Sequence, residues 1–105
     1  MKSFPKLDEW TERLATQVVD AAFEVHTTLG AGLLESVYER SLAYELRERG
    51  FSVEQQVIVP ASYKEAEFAY GFRIDLFVES QIIIEIKSVD TLLTVHRSQL
   101  LTYLK

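Results

Sequence analysis

The chain has 105 residues, 48% hydrophobic, 26% charged and 11% aromatic, with a formal charge of -5 and no cysteine. This length and balance fit one folded domain with a single core and exclude a disordered tail. Disulfide frameworks, thiolate zinc sites and redox motifs are excluded, and so is a large basic surface that holds nucleic acid by counterion release alone.

No apolar run is long enough to span a bilayer, and "MKSFPKLDEW" lacks the pattern of a signal peptide, so no membrane partner and a cytoplasmic location are expected. From about Asp8 to Leu29, the residues Trp10, Leu14, Val18, Ala21, Val25 and Leu29 recur at three or four, which predicts an amphipathic helix. Gly30-Ala31-Gly32 interrupts it. A second helix follows with Leu34, Val37, Tyr38, Leu42 and Leu46 on one face and Gly50 placed as its cap. The period then changes, because Phe51, Val53, Val57 and Val59 alternate with other residues as in a strand with one wetter face. "YKEAEF", Tyr63 to Phe68, is the expected reversal into a second strand that runs to about Val78, and Ile82 to Lys87 forms a third. Beyond Asp90 the spacing of Leu92, Val95, Gln99, Leu100 and Tyr103 predicts a final helix. No internal repeat or linker divides residues 1–105, so a single domain is expected.

Charges stand in the most apolar part of this pattern. In the third strand, alternation puts Ile82, Ile84 and Ile86 on one face and Ile83, Glu85 and Lys87 on the other. In the strand before it, Phe72, Ile74, Leu76 and Val78 oppose Arg73, Asp75 and Phe77. A three-residue loop of Glu79, Ser80 and Gln81 pairs Val78 with Ile82 and sets Asp75 across from Glu85, whereas a two-residue loop mixes the faces. The odd loop is the consistent one. Facing carboxylates repel, and a divalent cation, a shared proton or the Lys87 ammonium would each offset that cost. Oxygen donors without cysteine suit magnesium or manganese, and such an ion can serve phosphodiester hydrolysis while a nearby lysine positions or deprotonates water. A plainer reading is also open: Glu85 and Lys87 form a solvated pair and Asp75 faces water.

Three further stretches join this set. "GLLESVY" supplies Gly-x-x-Glu-x-x-Tyr from Gly32 to Tyr38, "RIDLFV" and "IIIEIKSV" supply Asp75 and Glu85-x-Lys87, and "QLLTY" supplies Gln99-x-x-x-Tyr103. In this order the motifs resemble the GxxExxY family of the PD-(D/E)XK nuclease superfamily, in its RecB-like Gln-x-x-x-Tyr variant. The resemblance covers nearly the whole chain. It implies an α/β, restriction-endonuclease-like core with two N-terminal helices, a three-stranded, mostly antiparallel sheet and a C-terminal helix. It also implies a metal site of Glu35, Asp75 and Glu85, with Lys87 the catalytic lysine and Gln99 and Tyr103 as substrate or site support. Ile74 stands where the family's strict motif has proline. The last strand of the family pattern is missing, as in a domain truncated at its C-terminus, and an open sheet edge of that kind is expected to recruit a second copy or a partner protein.

The resulting expectation is a nuclease that uses magnesium or manganese, with nucleic acid as partner and DNA ahead of RNA. Its rivals are a catalytically silent binding or assembly module on the same fold and a metal-dependent hydrolase of another phosphoester. Each residue also has an ordinary reading. Glu35 can be a surface residue of its helix, Tyr38 and Tyr103 core aromatics, and His26 a structural histidine, while His96 lies one turn before Gln99 in the expected helix. Arg73, on the face of Lys87, is a phosphate contact or an ion-pair partner.

Overall fold

The computed structural model describes residues 8–87 and the backbone of 93–97. Helix α1 spans Glu9–Leu29, and α2 spans Glu35–Glu48. Strands β1 (Val53–Tyr63), β2 (Ala66–Val78), β3 (Ile82–Ile86) and β4 (Leu93–Arg97) form one antiparallel sheet in the order β1-β2-β3-β4. The architecture is α/β and consistent with a restriction-endonuclease-like fold.

Asp8 caps α1, its Oδ1 accepting the Thr11 N–H at 2.7 Å, and Glu9 and Glu12 add negative charge where the helix dipole favours it. Leu14, Val18, Ala21 and Val25 form the buried stripe. Trp10 does not belong to it: it is 43% exposed, and Thr11 takes its place, buried, with Oγ1 donating to Gln81 Oε1 at 2.8 Å. That bond ties the start of α1 to the β2–β3 turn. On α2 the buried residues are Tyr38, Leu42, Ala43 and Leu46. Leu34 instead occupies the extended N-cap position and is exposed. At the other end Gly50, with φ 90°, follows the helix, its N–H bonding Arg47 O while the Phe51 N–H bonds Leu46 O. This double bond is the Schellman arrangement, which needs a left-handed residue at Gly50.

Both helices lie on one face of the sheet, where their stripes meet Val53, Leu76, Val78, Ile82, Ile84 and Ile86 in one core. Burying each large aliphatic side chain contributes about 1.5–3 kcal/mol. Arg49 latches the two helices together, bonding Glu45 on α2 and Asp20 on α1, both at 2.9 Å.

The β2–β3 turn has the expected register, with Val78 paired to Ile82, Phe77 to Ile83 and Leu76 to Ile84. Glu79 and Ser80 adopt φ of 52° and 53°, where glycine is usual. Bonds to Ser52 hold the turn: the Glu79 N–H donates to Ser52 O at 2.8 Å, and the Ser52 N–H to Glu79 Oε2 at 2.6 Å. Beyond the last β3 pair, β1 and β2 continue as a two-stranded arm to a turn at Lys64 and Glu65. Register shifts between Val59 and Ala61, around Pro60. Gly71 lies opposite this bulge, and a Cβ there would come within 2.4 Å of Ala61 Cβ. Only glycine lets the strands approach so closely.

The expected C-terminal helix is corrected at residues 93–97, which form β4 and pair with β3 from Ile86↔Leu93 to Ile82↔Arg97. Thr94 and Val95 are β-branched, and the second edge of β3 offers a backbone ladder that an intervening helix would leave unsatisfied. Residues 98–105, the remainder of that expected helix, lie outside the described residues. Among the described residues no helix is long and apolar enough to cross a membrane.

Candidate active site

Asp75 precedes Leu76 on β2, and Leu76 pairs with Ile84 in the β2–β3 pair farthest from the turn. Its Oδ2 accepts the Ile86 N–H at 2.9 Å, so a side chain takes over where the backbone ladder stops. The Asp75 side chain is only 13% exposed, and its Oδ1 lies 3.8 Å from Arg73 Nη2. Arg73 is thus an ion-pair partner across one residue of its own strand, with most of its guanidinium in solvent.

Glu85 and Lys87 extend from the end of β3 on the face away from the helices. Their side chains are 47% and 50% exposed, and Lys87 Nζ pairs with Glu85 Oε1. The pKa of the Lys87 ammonium is raised, first by the hydrogen bond it donates to Glu85 and by the Glu85 charge, then by the charges of Asp75 and Glu35. The Glu35 contribution is the smallest of these, and Glu35 is the first residue of α2. Glu35 is exposed at a helix N-terminus, where a carboxylate is favoured. Asp75, Glu85 and Lys87 thus meet at the end of β3, with the Asp75 carboxylate bonded to the Ile86 N–H between the other two, while Glu35 opens α2. Gln99 and Tyr103 lie outside the described residues. His96 sits in β4, opposite Ile83 in register, rather than in a helix. His26, read as a structural histidine, is exposed in the last turn of α1, where a basic residue suits the helix dipole.

Glu39 and Gln56 are neighbours of this region that periodicity did not single out. Gln56 falls between the pairs Gln55↔Leu76 and Val57↔Ile74, across from Asp75, and has φ 54°. Adjacent strand residues normally point to opposite faces, yet Gln55 and Gln56 both donate to the Glu39 carboxylate, at 3.1 and 2.6 Å. The left-handed residue makes this shared grip possible and docks the first half of α2 on β1 beside Asp75. Glutamine at φ > 0 carries no sequence signature as glycine does, which is why it went unseen.

Among the described residues, no three Asp, Glu or His side chains converge closely enough to hold a metal ion as they stand. The donor set is nonetheless chemically suited to a hard divalent cation, being carboxylate oxygen throughout, with Asp75 fixed on two sides. A cation at Glu85 competes with Lys87 for the same carboxylate. The groove between α1 and α2, lined by Val25, Leu29, Arg40 and Tyr44, shares no residue with this set.

A family model described as the PD-(D/E)XK nuclease superfamily matches residues 12–105. The chain belongs to that superfamily. None of the curated proteins and none of the solved structures compared with it matched. Nucleases of the superfamily are phosphodiester hydrolases of nucleic acid that in general depend on a divalent metal ion.

Proposed function

We propose that this chain is a GxxExxY-type, RecB-like member of its superfamily and a cytoplasmic nuclease that hydrolyses DNA phosphodiester bonds with magnesium or manganese. The observation that carries the reading is the nearly buried Asp75 carboxylate, bonded to the backbone N–H of Ile86, which lies between Glu85 and Lys87. A solvated surface pair requires only the last two. In this reading Asp75, Glu85 and Glu35 offer the anionic oxygens that hold the ion. Bound there, the ion neutralises charge on the scissile phosphate and lowers the pKa of a bound water.

Asp75 is held ready for this work by the Ile86 N–H, which fixes its carboxylate without removing its charge. Lys87, paired with Glu85, which raises the pKa of its ammonium, acts as a cation that orients water or a phosphate oxygen, rather than as a free base. Arg73, largely exposed beside Asp75, supplies a second positive contact for the phosphate backbone. Gln99 and Tyr103 enter the proposal from the sequence motif as support for the site. The test is cleavage of single-stranded, double-stranded and branched DNA, RNA and mononucleotides with magnesium, manganese or chelator. Cleavage that needs the ion and vanishes in Asp75→Ala, Glu85→Ala and Lys87→Ala supports the reading; metal-independent cleavage surviving all three removes the site.

A second reading, an assembly module, is favoured by one observation. Phe68, Tyr70 and Phe72 alternate along β2 on the arm beyond β3 and are 51%, 81% and 38% exposed. Exposed apolar surface of this kind recruits partners. Light scattering distinguishes a concentration-dependent oligomer from a stable monomer.

A further inference from the structure

Tyr38 was expected in the core, and its ring is there, with the residue 5% exposed. Its hydroxyl has a second task. It donates to Gly30 O at 2.6 Å and accepts the Leu33 N–H at 3.2 Å. One phenol thus joins the end of α1 to the segment that opens α2.

Besides the Gly30 N–H bond to His26 O at 2.8 Å, little else described there holds that segment in place. Residues 30–34 are all exposed, and Gly30 and Gly32 have φ of 75° and 94° with open space where a Cβ would be. The N-cap of α2 is Leu34, which makes no side-chain capping bond. Backbone bonds from Val37 and Tyr38 to Leu34 O, at 3.0 and 3.5 Å, begin the helix. A helix start normally gains its rigidity from a serine, threonine, aspartate or asparagine cap. Here the hydroxyl of a buried tyrosine, anchored by its ring, supplies the external hold. The next residue after Leu34 is Glu35.

We infer that Tyr38 is a positioning residue: its hydroxyl fixes the Gly30–Leu33 segment and so fixes where Glu35 stands at the start of α2. This rests on the reading of Glu35 as part of the ion-binding set. It also gives a physical reason for the Gly-x-x-Glu-x-x-Tyr spacing. The left-handed glycine lets the chain turn into α2, the glutamate opens the helix, and the tyrosine lies one turn further on, close enough to bond the turn behind it.

The test uses Tyr38→Phe, which keeps the core ring and removes both bonds, alongside Glu35→Gln and the double variant. Two readouts are taken: amide exchange of the metal-free proteins and manganese binding followed by electron paramagnetic resonance. Tyr38→Phe is expected to speed exchange in residues 31–37 while β2 and β3 exchange as in the parent. It should also raise the manganese concentration for half-saturation about tenfold, as expected from losing one or two hydrogen bonds that hold a ligand in place. The double variant should bind as Glu35→Gln does. Parent-like binding by Tyr38→Phe, with Glu35→Gln weakened, overturns the positioning role alone. Parent-like binding by Glu35→Gln overturns the assignment of Glu35 and the inference with it. Fast exchange spreading through β2 and β3 in Tyr38→Phe assigns the hydroxyl to global stability and also overturns the inference.

Discussion

The two faces of β2 and β3 contrast in burial and charge. Toward the helices, Leu76, Val78, Ile82, Ile84 and Ile86 are nearly or fully sealed from solvent. On the other face, a one-residue step away along the same strands, stand Asp75, Glu85 and Lys87, two of them about half exposed. The backbone is common to both. What the difference teaches is a division of labour by parity: even positions pack against the helices, and the charges of Asp75, Glu85 and Lys87 all fall on odd positions, which they share with the buried Ile83.

The largest effects should come from removing the charged face and measuring cleavage. Glu85→Gln and Lys87→Ala are each expected to lower the cleavage rate by about 10²–10⁴ while leaving the melting temperature close to that of the parent. A rate loss that tracks a loss of fold would erase the division. On the other face, Leu76→Ala is expected to cost about 2–5 kcal/mol in denaturant unfolding, because Leu76 is fully enclosed.

Asp75 sharpens the comparison because it serves both sides. Asp75→Ala deprives the Ile86 N–H of its acceptor and should cost about 1–3 kcal/mol, whereas Asp75→Asn keeps an oxygen for that bond and should cost much less. Equal costs would show that the bond has no structural share. The smallest effect concerns pH. Lys87 has a raised folded value, so the stability its charge confers is complete below the unfolded value of about 10.5 and is lost only as pH rises through the folded one. The melting difference between parent and Lys87→Met should therefore stay level from about pH 6 to 9 and shrink above about 10.5.

Much of this division was legible in the sequence, for a physical reason. Strand parity is strict, so the odd length of the Glu79–Gln81 turn fixed which residues share a face, and the observed Val78↔Ile82 pair follows it. The helical stripes were legible where they were continuous, from Leu14 to Val25 and from Tyr38 to Leu46. They failed at helix ends. Trp10 has the right spacing, but Thr11 has the partner, Gln81, and a tertiary hydrogen bond leaves no periodic trace. Leu34 has the right spacing too, yet lies before the helix begins. In Leu93–Arg97, apolar residues spaced for a helix were overridden by a strand edge waiting to be paired. The grip of Glu39 on Gln55 and Gln56 depends on a left-handed glutamine that no residue preference announces.

The central claim is that the charged face binds a divalent ion through Asp75, and melting tests it without a substrate. Parent and Asp75→Asn are heated in about 10 mM magnesium and in chelator at matched ionic strength. For a dissociation constant of about 1 mM, linkage gives the parent about 1.4 kcal/mol, a rise of roughly 5 °C or more in a domain of this size. The account predicts that rise in the parent and its loss in Asp75→Asn, with both proteins similarly stable in chelator. Equal magnesium shifts in the two proteins, or none in either, would contradict it.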